Sequence, residues 1–218
     1  MDETIIIRQY KDRLRIFLIL YFFSDEYQDI NNPRHKKIFK SEVKIQKVDF
    51  LLRNPDYLAY ELILFAQENK FDLLEIKNTV NHIFKNNEPY LKRLEMEKFF
   101  FGAYEDIDDV VSFLKSIDFI DFSSKKNVNL QTIEKYYYIT ELAIQKVESN
   151  LSKNSSLQWY VERCNLIKKY FGDLSGSQLK IMQYKIPEYK NTGYNEYIGS
   201  IQDEVRHEYQ KMFGEVLA

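Results

Sequence analysis

Cysteine, glycine and proline are scarce in this chain of 218 residues, and each scarcity excludes something. The one cysteine, Cys164, has no second thiol for a disulfide and no CxxC partner for zinc or redox chemistry. Six glycines and four prolines leave few sharp turns, which favours long helices over a many-stranded sandwich. Long hydrophobic runs are missing too: the most apolar stretch, Ile16 to Phe23, has eight residues, against the roughly 20 that a membrane-spanning helix needs. Asp2, Glu3 and Asp12 precede it and no small-residue cleavage site follows, so it is a poor secretory signal. The expected compartment is a reducing cytoplasm, with no membrane partner. An excess of one charge is also lacking, because 31 Lys+Arg stand against 33 Asp+Glu for a net charge of −2. The phosphate-cradling GxGxxG and GxxxxGK[ST] patterns and the GxSxG nucleophile elbow do not occur. His35, His82 and His207 are scattered, without the HxxxH or HxH spacing that sets two ligands on one face. The expectation is therefore a protein that is not an enzyme, with no catalytic residue, no metal and no cofactor.

Aromatic residues are abundant: one Trp, 17 Tyr and 16 Phe. Each buries a large area, so this composition readily offsets the entropy of folding. It also exceeds what one small core requires, and some rings on the N- and C-terminal helices are expected to face a partner.

Apolar periodicity marks the elements. Ile5 to Phe23 reads as an opening helix, with Ile6, Tyr10, Leu14, Phe17 and Tyr21 at steps of four and three, and Ser24 to Pro33 as a polar loop. Arg34 to Arg53 reads as a second helix through Ile38, Ile45, Val48 and Leu52, stopped by Asn54-Pro55. Pro55 can open a third helix, Asp56 to Asn69, and Phe71 to Phe84 a fourth. Tyr104 to Ile117 carries one apolar stripe, Ile107, Val110, Val111, Leu114 and Ile117. Short strands at Phe119 to Phe122 and Lys135 to Thr140 flank a polar loop, and Thr140 can cap a helix from Glu141 to Leu151. Within the second strand, alternation turns Tyr137 away from Tyr136 and Tyr138, so at least one of the three belongs in the core. Ser155 to Ala218 looks wholly helical, ending in Tyr194 to Leu217 with Tyr197, Ile201, Val205, Tyr209 and Met212 along one side.

Helix, strand, basic loop, strand, helix is the order of a winged-helix module, with Ser124 to Glu134 as the wing. The predicted fold is mainly α with a small β-hairpin. Residues 1–33 form an N-terminal helix and loop, 34–152 a winged-helix-like core, and 153–218 a C-terminal helical region.

The near-zero net charge conceals two opposed segments. Residues 34–53 carry seven basic residues against two acidic ones, and Lys36, Lys40, Lys44 and Lys47 fall four, four and three apart as a strip. Solubility alone accounts for such a face. The functional alternative is sequence-independent contact with a nucleic-acid backbone through Lys36, Lys37, Lys40, Lys44 and Lys47, joined by Lys125 and Lys126 of the wing. Residues 104–118 run the other way, with Glu105, Asp106, Asp108, Asp109 and Asp118 against Lys115. Carboxylates favour a helix N-terminus through its dipole, but in the recognition position of a winged helix they repel duplex phosphates. That weighs against a stand-alone winged-helix transcriptional regulator, which remains the alternative reading.

The string Lys47-Val48-Asp49-Phe50-Leu51-Leu52-Arg53-Asn54-Pro55-Asp56-Tyr57-Leu58 resembles the "hydrophobic helix, then R-x-P-x-x-L" signature of the middle components of ABC-three-component systems. Leu174-Ser175-Gly176-Ser177-Gln178-Leu179-Lys180, followed by Tyr184 and Ile186-Pro187-Glu188-Tyr189, is similar to a C-terminal pattern of the same group. The resemblance implies a non-catalytic accessory subunit with a winged-helix-like core. It would bridge an SMC/Rad50-like ATPase and an effector, such as a nuclease, in a Lamassu-type anti-phage or anti-plasmid complex. DNA would be reached indirectly or through weak backbone contacts. Candidate interface residues are Arg53, Asp56 and Tyr57 of the motif, acidic Asp106, Asp108 and Asp109, and Tyr197 and Tyr209 of the terminal helix. For the motif itself a core role is the stronger expectation, since Pro55 starts a helix and Asp56 stabilises its first turn.

Overall fold

Helical spacing of apolar residues dominates the chain, and one run of β-branched and aromatic residues interrupts it; the structure follows both. The computed structural model describes residues 3–100, 102–130, 132–150 and 155–217. The protein is mainly α-helical with a small antiparallel sheet. In chain order the elements are α1 (Glu3–Phe23), β1 (Asp25–Glu26), β2 (His35–Lys40), α2 (Glu42–Arg53), α3 (Pro55–Gln67), α4 (Leu73–Lys85) and α5 (Glu88–Leu91). They continue with β3 (Lys98–Phe99), β4 (Gly102–Ala103), α6 (Asp108–Ser116), β5 (Ile120–Lys126), β6 (Thr132–Thr140) and α7 (Glu141–Asn150). The last four are α8 (Ser155–Phe171), α9 (Gly176–Lys185), α10 (Pro187–Asn191) and α11 (Gln202–Phe213). No helix among the described residues is long and apolar enough to cross a membrane. The chain divides into two compact units, Met1–Ile45 with Asp106–Gly176 and Gln46–Glu105 with Ser177–Ala218. Residues 34–152, read from the sequence as one core, contribute to both.

The first unit holds the four-stranded sheet, ordered β1-β2-β6-β5. α6, the β5–β6 hairpin and α7 follow one another in the expected order, and the Oγ1 of Thr140 accepts the N–H of Ala143 at 3.2 Å at the start of α7. Ile120, Tyr137 and Ile139 are buried, while Tyr136 and Tyr138 are half-buried, as alternation requires. The strands outrun their expected ends. Lys125 and Lys126 pair with Glu134 and Thr132, so they belong to the ladder, and the turn lies beyond them. Cys164 is buried on α8.

The expected helix from Arg34 is corrected in its first half, which is strand β2 paired antiparallel with β6: Ile38 lies opposite Tyr138 and Phe39 opposite Tyr137. Ile38 and Phe39 are both buried there, and pairing with a tyrosine-rich strand overrides a helical spacing whose only apolar member before Ile45 is Ile38. Ser41, with φ of 137°, turns the chain out of β2, and its Oγ accepts the N–H of Lys44 at 3.2 Å as α2 begins. His35 is held between carboxylates: Nδ1 lies 3.0 Å from Asp29 Oδ2, Nε2 lies 2.9 Å from Asp121 Oδ2, and the ring stacks on Tyr138 at 4.5 Å. The hydrogen bond from His35 holds the Asp29 carboxyl below its usual range.

The second unit packs α3 against α4 and α11. Pro55 occupies the first turn of α3 as expected, and Asp72 caps α4 by accepting the N–H of Glu75 at 2.7 Å. The terminal helix is shorter than its spacing suggested. Residues 194–201 precede α11 in non-helical conformation, because their backbone bonds elsewhere: Lys98 N–H donates to Glu196 O, Asn195 N–H to Lys98 O and Ile198 N–H to Met96 O.

Candidate functional site

The hexapeptide Arg53 to Leu58 is the scaffold of a site in the second unit. Arg53 ends α2 and is buried. Its Nε donates to Leu94 O at 3.2 Å, its Nη2 to Glu95 O, and its Nη1 faces Glu105 and, at 3.5 Å, Asp49. One guanidinium thereby fixes both ends of the 94–105 segment, a task suited to its fork of donors. Asp56 is also buried, and its Oδ2 accepts from Ile201 N–H at 2.9 Å, Ser200 Oγ at 2.8 Å and Arg93 Nη1 at 3.2 Å. Tyr57, with no exposed surface, donates its hydroxyl to Gly199 O at 3.0 Å. Burial first, and the carboxylates of Asp56 and Glu188 next, push this phenol above its ordinary pKa, so it stays a neutral donor.

Those anchors hold the two stretches that carry exposed rings. Phe99, at the end of β3, and Phe100 meet Tyr194 with centroid separations of 4.9 and 4.7 Å, and Phe99 lies 5.8 Å from Tyr104. Phe100 is 72% exposed, Tyr194 50% and Tyr197 59%. The Nζ of Lys98 donates to Lys190 O and Thr192 O at 2.7 Å each, tying β3 to the end of α10. Beneath, Gly102 has φ of +93°, and a Cβ there would meet the Tyr189 hydroxyl and the Lys47 amine. Clustered exposed rings on a fixed backbone are suited to binding a complementary apolar surface.

The residues nominated from sequence distribute differently. Arg53, Asp56 and Tyr57 come together, but as buried anchors, which is the core role; they offer almost no surface for a direct contact. Tyr209 is likewise buried, with its hydroxyl bonded to Asn81, and is corrected from interface to core. Tyr197 is at the surface. Asp106, Asp108 and Asp109 are exposed, and Asp106 Oδ1 accepts the N–H of Asp108 at 2.9 Å, consistent with the local role of acids at the start of α6. Glu105 is committed to Arg53 and Asp118 to Arg34 at 2.8 Å.

The basic strip does not form, because its members lie on two element types. Lys36 pairs with Glu141 at 3.7 Å and Lys37 with Glu26 at 3.1 Å on β2, and Lys40 is exposed at that strand's end. Lys44 is half-buried, its amine donating to Gly172 O at 2.6 Å. Lys47 is buried, with Nζ donating to Ala103 O at 3.0 Å and the Tyr189 hydroxyl at 3.3 Å, so it cannot meet a phosphate. Lys125 and Lys126 are exposed on β5. The rings of Phe99, Phe100 and Tyr194 were not singled out in the sequence; the only available signal was the aromatic excess itself. Among the described residues no cluster of three or more His, Cys, Asp or Glu is placed to hold a metal ion. No family model, no curated protein and no solved structure matches the chain.

Proposed function

We propose that the protein is a non-catalytic, cytoplasmic accessory subunit that docks on an SMC/Rad50-like ATPase and links it to an effector in an anti-phage or anti-plasmid complex. The class of partner comes from the resemblance of Arg53 to Leu58 and Leu174 to Lys180 to middle components. The observation that carries the docking role is the exposed ring cluster of Phe99, Phe100 and Tyr194 on a backbone pinned by Arg53 and Asp56. In this reading the motif serves the interface without touching the partner: it positions the rings, and the rings bind.

Co-expression with the ATPase encoded beside its gene tests the proposal. Stable co-purification is expected, and Phe100→Ala with Tyr194→Ala should abolish it while leaving the circular dichroism spectrum unchanged. Two polypeptides that never co-purify, or a gene neighbourhood with no such ATPase, would sink it. Sequence-selective duplex binding by the isolated chain would favour the transcriptional-regulator alternative.

A further inference from the structure

A cavity of about 200 Å³ opens in the first unit between the end of α1, the end of β2, the first turn of α2 and the end of α8. Three lysines are among the residues that line it: Lys40 on β2, Lys44 on α2 and Lys168 on α8. Lys44 is half-buried, and its amine donates to a neutral group, the carbonyl of Gly172 at 2.6 Å. Burial, opposed in part by Asp25 and Asp173 and aided by Lys168, holds its pKa below the ordinary lysine value. Lys40 and Lys168 are exposed, and neither has a carboxylate within ion-pair distance among the described residues. Asp25 and Asp173 also border the cavity, leaving an excess of one positive charge there. Lysines that border one cavity repel one another, as Lys168 does Lys44, and an anion seated there relieves that repulsion.

Lysine is a compact point charge that binds phosphate without demanding a planar partner. The volume is below the range of about 300–1,000 Å³ typical for whole small-molecule ligands, so it suits a single group with its water. We propose that this cavity seats one phosphoryl group, held by Lys40, Lys44 and Lys168. The group belongs either to a free phosphate ester or to a nucleic-acid backbone. The site is independent of the ring cluster, and its test does not require the ATPase.

Full-length protein is titrated with inorganic phosphate, with adenosine monophosphate and with a short fluorescent DNA duplex. The variants are Lys40→Gln/Lys168→Gln, both at exposed positions, and Lys115→Gln/Lys211→Gln, which changes charge equally at residues that do not line the cavity. Binding of at least one probe is expected, weakened at least about tenfold in the first variant, as loss of charge-assisted bonds implies, and retained in the second. Binding of phosphate or the monophosphate identifies a free ligand, and binding of the duplex alone, with a steep salt dependence, identifies a backbone. No binding of any probe, no effect of the first variant, or equal weakening by both variants would overturn the proposal.

Discussion

Lys47 and Glu61 are two groups whose protonation burial moves to near neutrality, and they act in opposite directions. Glu61 on α3 is buried, its Oε1 has no hydrogen-bond partner, and burial raises its carboxyl to about 7. The folded state therefore keeps a proton that the unfolded chain releases near pH 4.5, and stability falls as pH rises from there to about 7. Burial, aided by nearby Lys180, lowers the Lys47 amine to about 7 from an ordinary 10.5. Above pH 7 the unfolded chain binds more protons at this site, so stability rises with pH toward 10.5 and is lost as pH falls through 7. Together these two groups set a stability minimum near neutrality, a pattern that paired surface carboxylates would not produce. Urea unfolding at pH 5, 7 and 9 should reveal it. Glu61→Gln should flatten the acid limb and be more stable than the parent at pH 8 by about 1–3 kcal/mol. Lys47→Met should flatten the alkaline limb. Parallel pH profiles for parent and variants would contradict this assignment.

At the scale of elements, the 94–105 segment and residues 198–201 have almost no regular structure of their own and depend on α2 and α3 for their shape. Removing Arg53 leaves Asp49 and Glu105 without its charge and frees the carbonyls of Leu94 and Glu95. Arg53→Ala is therefore expected to cost about 3–5 kcal/mol, measured by urea unfolding. Arg53→Lys should recover only part of that, because an ammonium cannot span the same acceptors. The sequence exposed Pro55 at a helix start and the α6 stripe, because both signals are local. It exposed the opposite facing of Tyr137 from Tyr136 and Tyr138 for the same reason, though not which face is the core. β2 was hidden because His35 to Lys40 is short and its Ile38 falls in step with Ile45, Val48 and Leu52 of the helix that follows, so only pairing with β6, far along the chain, decides it. Tyr197 and Ile201 mimicked a helical step while their segment is held extended by Met96 and Lys98. The motif was visible as a string, but not as a clamp. Its partners Glu105, Arg93 and Ile201 lie in other segments, and no spacing rule connects them.

For the molecule as a whole, an isoelectric point near 6.0 and a formal charge of −2 give weak electrostatic repulsion between copies at neutral pH. A surface that also presents Phe100, Tyr194 and Tyr197 should then be adhesive when no partner covers it. If the rings were part of the core, replacing them would destabilise the fold; if they are an uncovered docking surface, replacement should leave stability alone and change association. Phe100→Ser with Tyr194→Ser is expected to shift the unfolding free energy by no more than about 0.5 kcal/mol, as for exposed positions generally. The same variant should reduce light scattering near pH 6 and lower the fluorescence of a bound apolar dye. Scattering of the parent should fall on moving to pH 8, where the net negative charge grows, and should rise with added salt. A variant that unfolds more easily and still scatters would place these rings in the core and remove the surface on which the accessory-subunit reading depends.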